Sequence, residues 1–130
     1  MKFVVKEPIL GFEDIKEVEL SKIDDVFMTL KASKPPKDIS FTMVNPFILR
    51  EYNIDIPQKY KELLEIDENS NILILNSMIL NSPIEESEIN FIAPFIFNVD
   101  KSLMAQVILD SEKYPDFGLT EKISKYLSKD

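Results

Sequence analysis

Along the first 44 residues, apolar and polar positions alternate with the period of half-buried strands. Phe3-Val4-Val5 reads as a short opening strand, closed by Pro8 and the turn-forming Gly11. Val18 and Leu20 alternate with Glu17 and Glu19, and Val26 to Leu30 follows the Asp24-Asp25 turn signal. Ile39, Phe41 and Met43 then share one face of the run Ile39 to Val44. Between these runs, Pro35-Pro36 predicts a loop, because neither residue can donate to a ladder. Short strands at this spacing predict an antiparallel roll, sandwich or barrel.

One helix interrupts the pattern. Asp55 is its expected N-cap and Pro57 suits its first turn, with Tyr60, Leu63 and Leu64 on one stripe and Asn69-Ser70-Asn71 as the stop. The acids Glu62, Glu65, Asp67 and Glu68 read as a solvated face and turn. Two strongly apolar segments come next, Ile72 to Leu80 and Ile89 to Val99, joined by a polar loop over Ser82–Glu88. Both are apolar at odd and even positions, so both of their faces require cover. Pro94, within the second run, marks an edge or a bulge. A last strand is expected over Met104 to Leu109, and a short helix from Thr120 to Leu127 with Thr120 as its cap. The fold class is therefore mainly β, a barrel-like single domain over residues 1–130 with one or two short helices and a short C-terminal tail from about residue 116.

Composition narrows the chemistry sharply. The 130 residues include no Cys and no His, which removes disulfides, thiolate nucleophiles, zinc–sulfur sites, serine triads and most neutral-pH proton transfer. Only Gly11 and Gly118 are present, too few for a glycine-rich phosphate loop. Carboxylate pairs such as Asp24/Asp25, Glu85/Glu86 and Asp110/Glu112 lack the supporting motif of a glycosidase or calcium loop, and they read as surface. No catalytic residue, metal site or cofactor is predicted, and the chain is not expected to be an enzyme.

Fifteen basic against 23 acidic residues give a net charge of −8, a field that repels nucleic-acid backbones and favours a basic partner. The densest basic group, Lys31, Lys34 and Lys37, reads as a solvated loop. The N-terminus lacks a signal-peptide core, and no run of about 18 apolar residues is available to span a membrane, so the expected location is the cytoplasm.

Four segments pair an apolar strand with Pro, Asn or Gly where the ladder must stop. They are Pro8 to Asp14, Phe41 to Phe47, Asn90 to Asn98, and Gln106 to Asp110 followed by Tyr114-Pro115. Taken singly, Gly11, Asn90 and Asn98 are ordinary turn chemistry. In this order, however, Leu10-Gly11-Phe12-Glu13, Val44-Asn45-Pro46-Phe47, Asn90 to Asn98 with Ala93-Pro94 inside, and Gln106 to Asp110 with Tyr114-Pro115 resemble the bacterial flagellar assembly factor FliW family, from about Lys2 to Leu119. The resemblance implies a mainly-β roll or barrel and a partner-switching regulator. Such a protein binds flagellin at its terminal helical region in the cytoplasm, and antagonises the RNA-binding translational repressor CsrA, without touching nucleic acid or membrane itself.

On that reading the partner contacts lie among Glu13, Asp14, Asn45, Pro46, Phe47, Asp110, Glu112 and Tyr114, at strand ends where loops meet a partner. The competing reading is a small-molecule-binding β-barrel. Bulky Phe27, Phe41, Phe91, Phe95 and Phe97 argue against a large hollow.

Overall fold

A computed structural model of the chain describes residues 1–34, 37–118 and 120–126. Nine strands are formed among them: β1 (Lys2–Glu7), β2 (Glu17–Lys22), β3 (Phe27–Lys34), β4 (Lys37–Val44), β5 (Ile72–Ile79), β6 (Glu88–Ile89), β7 (Phe95–Asn98), β8 (Leu103–Gln106) and β9 (Glu121–Lys122). Two short helices, α1 (Pro46–Leu49) and α2 (Gln58–Leu63), lie between β4 and β5. Single 3-10 turns occupy Ile84–Glu86 and Ile123–Lys125.

The strands follow one another in the order β4-β3-β2-β1-β8-β7-β5, and β5 pairs back onto β4, so the wall closes into a barrel. Closure falls to β5, which must serve several neighbours. Ile72 to Leu75 pair with β7, whereas Asn76 to Met78 pair with β4 and Met78 to Ile79 also pair with β6. All pairings are antiparallel except β1 with β8, which is parallel where an antiparallel sheet was expected. The two strands lie far apart in the chain, so no hairpin forces their relative direction.

Side-chain alternation sorts the apolar residues into three layers. Phe3, Leu20, Leu30, Met43, Leu75, Phe95, Phe97 and Met104 fill the bore, with the Phe3 and Phe97 rings edge to face at 4.9 Å. The outer faces of β7 and β8 meet Leu64, Ile54, Ile56 and Tyr60 around α2 through Ile96, Ala105 and, just past β8, Val107. A third cluster gathers Val44, Tyr52, Met78, Ile89, Phe91 and Ile123. All four residues of β7 and of β8 are buried, because these strands have the bore on one side and α2 on the other.

Several local expectations are corrected. The N-cap of α2 is Pro57 rather than Asp55, and its side chain accepts no capping bond. The helix also stops at Leu63, well before Asn69, because Glu65 takes a left-handed φ of 54°. Its closing carbonyls are met from the sheet: buried Asn98 donates from Nδ2 to Leu64 O (2.8 Å) and Glu65 O (3.2 Å). Asn98 is thus a strand residue that caps a helix, not turn chemistry.

The expected strand over Ile89 to Val99 is broken into β6 and β7 around Pro94. The last strand ends at Gln106 rather than Leu109. Lys31, Lys34 and Lys37 belong to the β3–β4 hairpin, not a loop. The loop expected at Pro35-Pro36 and the end of the tail helix at Leu127 lie outside the described residues. The rest of that tail, Glu121 to Lys125, forms β9 and a 3-10 turn instead of a helix, since Glu88 and Ile89 pair with it as a strand.

Replacing Asn98 by Ala strips α2 of its closing donor while emptying little volume. Chemical denaturation should find Asn98→Ala less stable by about 1–3 kcal/mol, the cost of leaving buried acceptors unmet.

Candidate functional site: a bulged wall and the cleft beside it

The break between β6 and β7 is a large bulge. Met78 pairs with Ile89 and Leu75 with Phe95, so three steps along β5 are matched by six along the opposing chain. Asn90 N still donates to Ser77 O of β5 (3.1 Å), but from there to Pro94 the chain leaves the ladder while remaining largely buried, and its other backbone groups need partners from elsewhere.

Those partners come from distant parts of the chain, only some of them in the segments singled out in the sequence. Asn90 Oδ1 accepts from Ala93 N (3.1 Å), and Asn90 O accepts from Asn76 Nδ2 (2.9 Å). Ile92 O and Pro94 O accept from Leu109 N (2.9 Å) and Val107 N (2.8 Å). Gln106 Nε2 reaches Ala93 O (3.4 Å), while its Oε1 accepts from Leu10 N (3.0 Å) and so ties the early loop to the bulge. Phe91 O accepts from the Tyr52 hydroxyl, and Phe91 N donates to Gly118 O (2.9 Å).

The early loop follows from its residues. Phe12 N returns to Ile9 O (2.8 Å) across a turn in which Gly11 has φ 85°, a conformation open to glycine at no steric cost. Gly11 N donates to Glu13 Oε1 (3.2 Å). Ile9 and Ile15 are buried on the bore side, so the loop acts as a stopper at the barrel mouth. Beside it opens a cleft of about 260 Å³ whose lining includes Leu10, Phe12, Phe41, Ile79, Asn90 and Gln106. Leu10 and Ile79 stand on its rim at 61% and 62% exposure.

The other side of the bulge is an aromatic cluster built on Asn45-Pro46-Phe47. Asn45 caps α1 by accepting from Phe47 N (3.0 Å), with Pro46 at the helix start, so the segment expected only to stop the ladder also opens a short helix. The helix delivers Arg50, whose guanidinium lies over Phe117 (4.8 Å), Phe91 (5.2 Å) and Tyr126 (5.6 Å) and pairs with Glu121 Oε2 (3.7 Å). Glu121 also accepts from Gly118 N (2.7 Å) and from the Tyr126 hydroxyl. A Cβ on Gly118 would sit 2.9 Å from Glu121 Cγ, so glycine permits this approach. Arg50, Tyr52, Asn76 and Glu121 were not singled out in the sequence. A lone arginine 71 positions from its carboxylate carries no local pattern.

The eight proposed contact residues fall into two groups. Glu13 and Asp14 sit on the mouth loop. Phe47 and Tyr114 are joined by ring contacts through Tyr52 and Phe117 at 6.0, 4.7 and 5.3 Å. Asp110 shapes the turn into Tyr114, accepting from Glu112 N and Tyr114 N (both 2.9 Å). The Tyr114 hydroxyl in turn accepts from Asp55 N (2.7 Å). Phe47 is 53% exposed and neighbours exposed Ile48, whereas Pro46 is buried, so Pro46 acts by starting the helix that presents Phe47.

The FliW protein family matches residues 1–116. Flagellar assembly factor FliW 2 of Wolinella succinogenes is 50% identical over 130 residues, covering 100% of this chain and 95% of the relative. Flagellar assembly factor FliW of Sulfurimonas denitrificans is 55% identical over 130 residues, covering 99% and 100%. A crystal structure of the flagellar assembly factor FliW superposes with a TM-score of 0.83 over 99% of this chain and 88% of the other, at 23% identity, which establishes the shared fold. No helix among the described residues is long and apolar enough to cross a membrane.

The pH dependence of folding follows from these contacts. Burial pushes the Glu121 carboxyl up, but hydrogen bonds from Tyr126, Gly118 and Lys125 outweigh it and hold the group below its ordinary 4.5. Backbone hydrogen bonds from Phe27 and Val26 lower Asp24, and a backbone and a side-chain hydrogen bond from Asn71 lower Asp100, from an ordinary 3.8. Depressed carboxyls contribute stability above their unfolded values and lose it as pH falls through the folded ones. Burial pushes Tyr52 up to about 12 from 10.0, so its contribution is whole below pH 10 and disappears as pH rises toward 12. Urea unfolding against pH should give a plateau that falls off below about pH 4.5 and again above about pH 10. Tyr52→Phe should lower the plateau by about 1–3 kcal/mol, because Phe91 O loses its donor.

Proposed function

The chain belongs to the FliW family of flagellar assembly factors, and from that membership we propose that it is a cytoplasmic partner-switching regulator. It binds flagellin at its terminal helical region before export and antagonises the translational repressor CsrA, so that free flagellin releases the repressor and export recaptures it. The observation that carries this reading is the 55% identity with a flagellar assembly factor over essentially the whole of both chains. It works by binding rather than by catalysis, with no cofactor, nucleic acid or membrane in its cycle.

Physical features support the same reading. A protein of charge −8 attracts a partner whose RNA-binding surface is basic. Exposed Leu10, Ile79, Phe47 and Ile48 offer apolar contact to a filament subunit whose terminal region is unassembled. The contacts are proposed among Glu13, Asp14, Asn45, Phe47, Asp110, Glu112 and Tyr114, with Pro46 placing Phe47. The rival small-molecule barrel is disfavoured by a bore filled with Phe3, Phe95 and Phe97.

Affinity purification from a flagellated host should recover both flagellin and CsrA, and purified flagellin should displace CsrA from the complex. Recovery of neither would reject the function. Glu13→Lys and Asp14→Lys should each weaken CsrA binding about 3- to 10-fold in calorimetry, chiefly through a slower on-rate, with circular dichroism unchanged. Unaltered affinity would remove these two residues from the interface.

A further inference from the structure

β4 outruns its partner. Its ladder with β5 ends at Thr42 opposite Met78, yet β4 continues alongside β3 as far as Lys37. Among the described residues, the outer edge of Ile39 to Phe41 thus has no strand partner and no backbone hydrogen bond from the mouth loop. The β4 pairing stops at Met78, β5 ends at Ile79 with its last two residues paired to β6, and both Phe41 and Ile79 line the cleft already described. An open strand edge beside an apolar hollow satisfies both needs of an added strand: main-chain donors and acceptors, and a seat for an alternate side chain.

The size of the hollow limits the occupant. At about 260 Å³ it falls below the roughly 300–1,000 Å³ of drug-sized ligand pockets, and an apolar cavity of about 150 Å³ holds one benzene ring. It is of a size to seat one bulky side chain. Phe12, Phe41 and Phe95 line it, and Leu10 and Ile79 form apolar lips. The Leu10 lip carries acid, since Glu13 follows on the mouth loop, whereas Glu88, across the ladder from Ile79, already faces Lys122 on β9. The complementary segment is extended, with one large apolar residue and a Lys or Arg to one side of it.

We propose that the gap between β4 and β5 is a strand-addition site, in which an extended stretch of unassembled flagellin's terminal region pairs with Ile39 to Phe41 and seats one apolar side chain in the cleft. This rests on the flagellin reading above and assigns it a place and a geometry. An amphipathic segment parted from its packing partners is only marginally helical in water, so it is free to bind extended.

The test uses the full-length protein with purified monomeric flagellin, and with CsrA as the second ligand. Ile79→Glu places a charge on the lip at an exposed position, so circular dichroism and the thermal midpoint should stay as in the wild type. Flagellin affinity should fall at least tenfold. Amide exchange on the wild-type complex should slow at Ile39 to Phe41. If the wild type binds flagellin, but Ile79→Glu binds equally well and these amides are unprotected, the site is wrong while the function stands. Weakened binding without amide protection would mean a helix docked in the cleft, and strand addition would be overturned. A wild type that binds CsrA but not flagellin would overturn both this site and the flagellin half of the proposed function. A shift to dimer without flagellin, protecting the same amides, would assign the edge to a second copy of the chain and overturn the proposal.

Discussion

The fold depends on satisfying one stretch of buried backbone. Five residues, Asn90 to Pro94, are pushed out of the wall because β5 cannot match them, and yet most of them lie beneath other chain segments. Each unmet buried donor or acceptor there would cost about 1–3 kcal/mol, a large share of a small domain's stability. Side chains from four separate places meet that demand: Asn76 on β5, Tyr52 after α1, Gln106 at the end of β8, and Asn90 within the bulge itself. The bulge is therefore the point at which distant parts of the chain are fastened together.

This arrangement couples the two surfaces on which partner contacts are proposed. Gln106 holds Ala93 with one end of its amide and Leu10 with the other, so the mouth loop bearing Glu13 is anchored to the bulge. On the opposite side, Tyr52 links the bulge to Phe47 in one direction and to Phe117 and Tyr114 in the other. Arg50 and Glu121 then fasten the C-terminal segment over the same Phe91 ring. Two partners that engage opposite sides of one rigid frame can influence each other by direct overlap or through that frame.

Much of the architecture was legible in the sequence because period-two alternation is a local signal. The strands from Phe3 to Val44 and over Ile72 to Ile79 were readable from it, and so was the need to cover both faces of the segment that became β7. What local patterns could not supply was partnership. Asn98 looked like a turn residue because nothing nearby in sequence reveals that it closes α2, and Asp55 looked like a cap because capping residues are recognised by type before geometry. The tail was read as a helix from Ile123 and Leu127, whereas pairing to β6 decided its start. At the site, the motifs containing Leu10, Asn90 and Gln106 stood out individually, and their meeting point emerged only with the fold. Arg50 and Glu121 were invisible because their pairing is set by the third dimension alone.

If the bulge is the fastening point, it should open only when the whole molecule does. Native-state hydrogen exchange of the free protein reads this directly at the amides of Phe91, Ala93, Val107, Leu109 and Leu10. The expected result is that these amides exchange with the same opening free energy as those of β7, and with the same dependence on denaturant. Exchange of the Phe91 and Ala93 amides through small local openings, while β7 stays protected, would contradict the account.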